Sequence, residues 1–437
     1  MHTESPAAPP SPRARRPIAD PIRFLETLAR QGDIAPFRIG RRQAFLVSHP
    51  ADIEDVLVTH AGAFARGPAL ERAEHLLGTG LLTAEGTLHR SRRRLMAPAF
   101  HRARIERLVG SIVRCAVAER DRWRAGTPLD VADRMGALAL RIAGLSLFGE
   151  DPAPWAAEVR GAFAAATASA DPLISLLAPL RRVHPERRRL DAVVDGLIAR
   201  RQAVRGGPGE RPDDLLALLL EADVGESPSR QLRDDVLTML LAAHDTIANA
   251  LTWTWSQLAG HPHADRRLAD ELAAVLGDRL PAASDLPHLP FTRGVLAEAL
   301  RICPPAWVLV RAARRPHRLG SIRIPAGSLV VMSPHVVHRD PRFFDEPLAF
   351  EPGRWMPNAR VPARPKLAYF PFGAGPRACI GESFAWMEGV LVLATCAQRW
   401  RMTAMQPPAA SAVRITQRPC GPVMMMPAPR PAAAGRA

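Results

Sequence analysis

The periodicity of this sequence predicts a mainly α-helical chain with a few short strands, on three observations. Apolar residues recur at helical spacing over residues 102 to about 205, 290–302 and 382–400. One helix, about residues 228–260, is apolar on every side across its middle, which implies burial. Strand-like runs are short and lie near residues 37–47, beyond residue 309 and close to the C-terminus.

Taken in order, residues 1–18 are rich in Pro, Ala and Arg and are expected to be a disordered tail. A helix is expected from about Pro21 to Arg30, and Phe37–Gly40 with Gln43–Val47 read as a hairpin. Pro50 opens another helix through Ile53, Val56 and Leu57. Residues 60–86, with scattered Gly and Pro, read as a long irregular connection. Thr87 to Phe100 is strongly basic, and His89 and Arg93 share a helical face. Helices broken at Asp171-Pro172 and near Pro179 fill the chain to about residue 205, and Gly206-Gly207-Pro208-Gly209 marks a loop. Ser227 can cap the central helix, Pro228 suits its first turn, and Gly260 with Pro262 can stop it. That gives a helix of roughly 30 residues and about 45 Å.

Val236 to Ala243 is the apolar middle of that helix, and His244-Asp245-Thr246 interrupts it. A buried acid beside a hydroxyl is costly unless it has partners or a task. Thr246 can bond back to a carbonyl one turn earlier and open the helix into a groove. His244 is expected to face a neighbouring helix without a catalytic role. Along Pro290–Ile302, Glu298 and Arg301 share a face. Strand-like pieces follow, with Ile322–Gly327 as a turn between them, and Pro419-Cys420-Gly421-Pro422 reads as a hairpin tip. The chain from about Pro427 is expected to be disordered, and length alone suggests two or three domains between the tails.

The net charge is +15, and Lys366 is the single lysine among 58 basic residues. The arginines are spread along the chain and accompany no zinc-finger or RNA-recognition pattern, so nucleic acid is not the expected partner. A basic surface could instead steer an acidic electron carrier. Cys115, Cys303, Cys379, Cys396 and Cys420 are odd in number and irregularly spaced, which fits a reducing, cytoplasmic compartment. The N-terminus has no apolar leader, and no stretch approaches 18 uninterrupted apolar residues, so no membrane span is expected.

One stretch concentrates the chemistry: Phe372-Gly373-Ala374-Gly375-Pro376-Arg377-Ala378-Cys379-Ile380-Gly381. It places a cysteine in a glycine-rich bend before a helical pattern running from about Glu382 to Trp400. Free N–H groups and the dipole at a helix start favour a thiolate, which can ligate haem iron. These ten residues match the haem-binding signature of the cytochrome P450 family at Phe372, Gly375, Arg377, Cys379 and Gly381. Phe384-Ala385 and Glu388 resemble its usual continuation.

The resemblance covers roughly residues 20–426 and implies that residues 19–426 form one domain. It implies the cytochrome P450 fold: a mainly α body with a small β-rich lobe, and a long central helix crossing the haem. His89 and Arg93 match the family's propionate-binding element, and Arg311 falls at another propionate-binding position, with Arg314 and Arg315 as rivals. Ala242-Ala243-His244-Asp245-Thr246 is similar to the family's oxygen-binding element, with Ala243 in place of the usual glycine. Glu298, Arg301 and Arg354 match its structural charge cluster.

The implied cofactor is haem b with Cys379 as axial ligand. The implied haem neighbours are His89, Arg93, Ala242, Ala243, Thr246, Arg311, Phe372, Gly373, Arg377, Ile380, Gly381 and Ala385. Asp245 and Thr246 are the implied proton relay. Met239, Ala242, Trp307, Val308, Leu309 and Cys420 would line a pocket for an apolar small molecule. The expected reaction is monooxygenation with O2, with electrons from a separate ferredoxin and ferredoxin reductase, by a monomer. A peroxide-driven enzyme, a haem isomerase or dehydratase, and a haem sensor are the competing readings. The Asp245-Thr246 pair argues against the first.

Overall fold

The computed structural model describes residues 13–14, 20–168, 185–204, 213–223, 228–357, 359, 364–407 and 410–430. The expected Ser227 cap, the breaks at Asp171-Pro172 and Pro179, the Gly206–Gly209 loop and most of both tails lie outside these residues. Two tail boundaries are corrected. Arg13–Ala14 forms a strand paired with Arg38 and Ile39. At the other end, Met424–Pro429 pairs with Trp400–Ala404, so order continues beyond residue 426.

The β-rich lobe is a six-stranded sheet, ordered Arg13–Ala14, Ile34–Ile39, Arg42–Val47, Leu329–Met332, Leu309–Ala313, Phe64–Arg66. Side chains alternate between its faces. Phe45, Val47, Val330 and Met332 enter one apolar cluster, whereas Ala44, Leu46, Leu329 and Val331 enter another. Both faces are therefore covered, which explains the unbroken apolar runs of the two middle strands. Two segments depart from expectation. Residues 60–86 contain a strand and the helix Pro68–Leu77, begun by a proline. Ile322–Ile324 is itself a strand, paired with His317–Leu319.

The helical body surrounds the central helix, Arg230–Gly260. Its cap is Ser229, whose Oγ accepts from the Leu232 N–H at 3.1 Å. Near its start two buried acids meet arginines of neighbouring helices. Asp234 lies 2.7 Å from Arg187, and Asp235 lies 2.5 Å from Arg92. The chain crosses this region closely at Gly78, where an added Cβ would collide with the Asp234 carboxylate and where φ is +68°. The helix remains continuous past Thr246. Thr246 Oγ1 donates to Ala242 O at 3.1 Å without breaking it, contrary to the expected opening.

Glu298 joins its own helix to the segment Glu351–Trp355. It is fully buried on the helix Pro290–Ile302. Its oxygens accept from Arg301 Nε and Nη2 at 2.9 and 2.8 Å, Arg354 Nε at 2.9 Å, Trp355 Nε1 at 2.8 Å and the Glu351 N–H at 3.0 Å. Arg301 also donates to the carbonyls of His338, Pro347 and Ala349. A buried carboxylate is tolerable with partners on this scale, and its removal strands two guanidiniums. Glu298→Ala should therefore cost about 3–5 kcal/mol in chemical denaturation. A loss of about 1 kcal/mol or less, the worth of a surface pair, would contradict this.

Candidate active site

The cysteine loop is held by its own backbone. Gly373 N–H donates to Phe370 O at 3.0 Å, Ala378 N–H to Gly375 O at 3.0 Å, and Cys379 N–H to Phe372 O at 2.9 Å. Gly373 and Gly375 take φ of +69° and +70°, which side chains rarely adopt. Gly375 is also pinned from behind: an added Cβ would run into Leu57 O. Phe372 packs against Trp386 at 5.6 Å, and Ile380 joins the main core. The helix Glu382–Ala397 starts directly after Gly381, and its Ala385 N–H donates to Gly381 O at 2.8 Å.

Cys379 is densely surrounded by protein yet keeps accessible surface. Burial pushes its thiol pKa up, and the Gly381 N–H and the Arg93 charge pull the other way. The central helix shows the same signature. Ala242 and Thr246 are exposed in the middle of a helix whose Leu241, His244, Ile247 and Ala248 are buried. Residues 242 and 246 are one turn apart and share a face. Met239, three residues before Ala242, is buried, and Ala243 packs against the core. His244 faces Phe163, and its Nδ1 lies 3.0 Å from Leu240 O. Burial lowers its pKa.

Asp245 is held from outside its helix. Thr416 Oγ1 donates to Asp245 Oδ2 at 2.7 Å, and Arg418 Nη2 lies 3.8 Å from Oδ1. Asn249 Nδ2 donates to Asp245 O at 2.8 Å and approaches Thr416 Oγ1 at 3.4 Å. Thr416 ends the turn Arg414–Thr416 between the strands Ser411–Val413 and Gln417–Pro419. The sequence reading missed this turn and placed the hairpin tip at Pro419–Pro422, where Gly and Pro signal a turn most strongly. Cys420 is instead exposed at the hairpin's open end, its N–H donating to Ala410 O, and leaves the pocket assignment.

Trp307 also leaves it. It is fully buried in the β-lobe core, and its Nε1 donates to Arg414 O at 3.2 Å. Trp307 thus supports the hairpin turn. Val308 packs partly into the same core. Leu309 reaches the cysteine loop, 3.7 Å from the Cβ position of Gly373. Ile415, between the anchored residues Arg414 and Thr416, keeps about half its surface accessible and was not foreseen.

Basic groups converge beside the loop. Arg93, on the helix Gly86–Met96, donates to Ala378 O at 2.7 Å. Arg377 donates to Ala84 O at 2.8 Å and Glu85 Oε1 at 2.6 Å. Glu85, also unforeseen, accepts from Arg314 and from the Arg66 N–H as well. Among the described residues, the Arg311 guanidinium donates only to Val310 O, at 3.1 Å. Burial, and then the Arg377 charge, push its pKa down to about 10. Burial with Arg377 and Arg93 pushes His89 down to about 4, so it is neutral at pH 7. Arg314 is largely exposed, which favours Arg311 over its rival as the inward cation. A thiol donor, a helix face opening on a cavity and cations exceeding their carboxylates fit a haem with two propionates.

Residues 20–427 match the family model described as Cytochrome P450. Cyclooctatin synthase of Streptomyces melanosporofaciens is 38% identical over 428 residues, spanning 94% of this chain and 92% of that protein. Cyclooctat-9-en-7-ol 5-monooxygenase of the same organism is 34% identical, spanning 87% and 85%. A crystal structure of a six-coordinated cytochrome P450 from Thermus thermophilus aligns over 95% of this chain and 99% of that one, with TM-score 0.72 and 27% identity.

The tightness behind Gly375 gives a direct test. Gly375→Ala adds the roughly 1–2 kcal/mol cost of left-handed backbone to a clash with Leu57 O. Haem bound per purified chain should fall several-fold, read from the haem absorption band. Full haem content with an unchanged carbon-monoxide difference spectrum would contradict it.

Proposed function

This chain belongs to the cytochrome P450 family and is a haem-thiolate monooxygenase acting on an apolar small molecule; from that premise we propose that its substrate is a cyclic terpenoid hydrocarbon or alcohol. The carrying observation is the exposed Ala242/Thr246 face of a buried helix, bordered by apolar side chains. Such a wall selects by shape and offers few polar anchors. The activity named for the Streptomyces relative, on cyclooctat-9-en-7-ol, supports the same class. Met239, Ala242, Val308, Leu309 and Ile415 form the proposed pocket wall. Titrating cyclic terpenes and their alcohols against fatty acids of similar size, and following the haem absorption band, tests this. The reading fails if only the fatty acids shift the band.

Cys379 is the proposed iron ligand. His89, Arg93, Arg311 and Arg377 would hold the propionates, and Phe372, Gly373, Ile380, Gly381, Ala385, Ala242, Ala243 and Thr246 would line the site. When bound, haem supplies the one-electron and O2 chemistry. The protein must then place protons. The Asp245 carboxylate, now bonded to Thr416, is proposed to carry protons inward by rotating toward Thr246. Thr246 Oγ1 gives its own hydrogen to Ala242 O, so its lone pairs remain available to accept. Arg418 Nη2, 3.8 Å from Asp245 Oδ1, faces the same carboxylate.

The reaction requires O2 and redox partners. We assign the electrons to a ferredoxin and its reductase, and the protein to the cytoplasm as a monomer. The five cysteines, all unpaired, support a reducing compartment. No helix among the described residues is long and apolar enough to cross a membrane.

Thr246→Ala should divert electrons to peroxide while haem content stays unchanged. Thr416→Val should slow product formation by roughly tenfold or more, within the range of lost acid–base assistance. Product and peroxide per nicotinamide consumed measure both. Full coupling in Thr416→Val would show that the hairpin does not position the acid.

A further inference from the structure

The helix begun at Pro50 does not end as an α-helix. Over Asp55–Thr59 it widens into a π-turn, and the His60 N–H donates to Asp55 O at 2.8 Å. Residues five apart on an α-helix point about 140° away from each other. The wider π-turn brings them nearly into line. Asp55 and His60 accordingly face one another, with Oδ2 and Nδ1 2.8 Å apart. A third group arrives from a distant strand: His317 Nε2 lies 2.6 Å from Asp55 Oδ1. The Phe64 ring, edge-on at 5.1 Å, orients His317. The three ligand-capable atoms lie within 4.8 Å of one another.

We propose that Asp55, His60 and His317 form a binding site for a divalent transition-metal ion, with zinc the favoured occupant. Two imidazole nitrogens and one carboxylate are a three-residue zinc set, with a fourth position left to water. The nitrogen content disfavours calcium and magnesium, which take oxygen ligands. His60 is about half exposed and Asp55 about a quarter, so the ion has a route in from solvent. Each imidazole must present an unprotonated ring nitrogen to the ion. Each imidazole nitrogen must move off its Asp55 oxygen by roughly 0.6–0.7 Å to reach tetrahedral spacing around zinc, and the two nitrogens, each now on a different oxygen, must converge on one ion. Rotation of the exposed His60 ring and of the Asp55 carboxylate supplies that movement.

The π-turn is the element that backs the cysteine loop. Leu57, inside it, supplies the carbonyl against which Gly375 is pinned. An ion tying Asp55 and His60 to the His317 strand therefore braces the wall behind Cys379.

The test uses tag-free, chelator-stripped holoenzyme titrated with zinc chloride in a calorimeter. One ion per chain should bind, and the melting temperature should rise. His60→Ala and Asp55→Asn should each weaken binding at least about tenfold, since even outer ligands of zinc sites matter that much. The haem spectrum should stay unchanged. Absence of stoichiometric binding overturns the proposal, and so does binding that survives both His60→Ala and His317→Ala. His60 is exposed, so His60→Ala decides the matter even if His317→Ala misfolds.

Discussion

A sulfur atom enclosed by protein is the constraint on which this structure turns. Burial favours the neutral thiol of Cys379, and the Gly381 N–H, the helix start and Arg93 only partly offset it. Ionisation on the proposed assignment therefore needs a cation at the sulfur, and the loop must hold the sulfur in place beforehand. The backbone does this through Cys379 N–H to Phe372 O and through two glycines in left-handed conformations. Leu57 blocks retreat on one side and Arg93 ties the Ala378 carbonyl on another. Further back, Glu298 binds the segment around Arg354 and Trp355 to the helix Pro290–Ile302. Each brace removes a freedom the loop would otherwise have.

The neighbouring charges are arranged for a guest of opposite sign. Glu85 is the carboxylate recorded among Arg66, Arg314 and Arg377. Arg311 has one carbonyl as its recorded partner and a lowered pKa that still leaves it charged at pH 7. His89 is neutral because like charges and burial oppose its protonation. Two incoming carboxylates would reverse the balance, and His89 would then serve as a hydrogen-bond donor or regain its proton.

Elements with strong local signals were legible in the sequence. The helices at Pro21, Pro50 and Pro290, and the hairpin at Gly40, follow from proline, glycine and apolar spacing. The Glu298 cluster and the cysteine loop were legible as ordered motifs. What escaped depended on long-range packing. Trp307 looked like a pocket residue by position, but a large apolar ring gains more from full burial in the β lobe. Residues 60–86 hid a helix whose cap is a glycine without a side-chain bond. The hairpin turn was misplaced because Cys420-Gly421-Pro422 is the stronger local turn signal, whereas Arg414–Thr416 is held by Trp307 and Asp245, distant in sequence.

That displaced hairpin changes how the proposed chemistry is organised. A buried acid held only by its own helix would have a fixed environment. Asp245 is instead held by Thr416, one residue from Ile415, in a turn whose other end rests on Trp307. Ile415 keeps accessible surface while Thr416 is nearly buried, so the two neighbours face different tasks. On the proposed assignment, one reads the substrate and the other restrains the proton donor. The two positions are adjacent in one turn held at both ends, so a side chain that alters the fit at residue 415 is expected to alter the hydrogen bond at residue 416 as well.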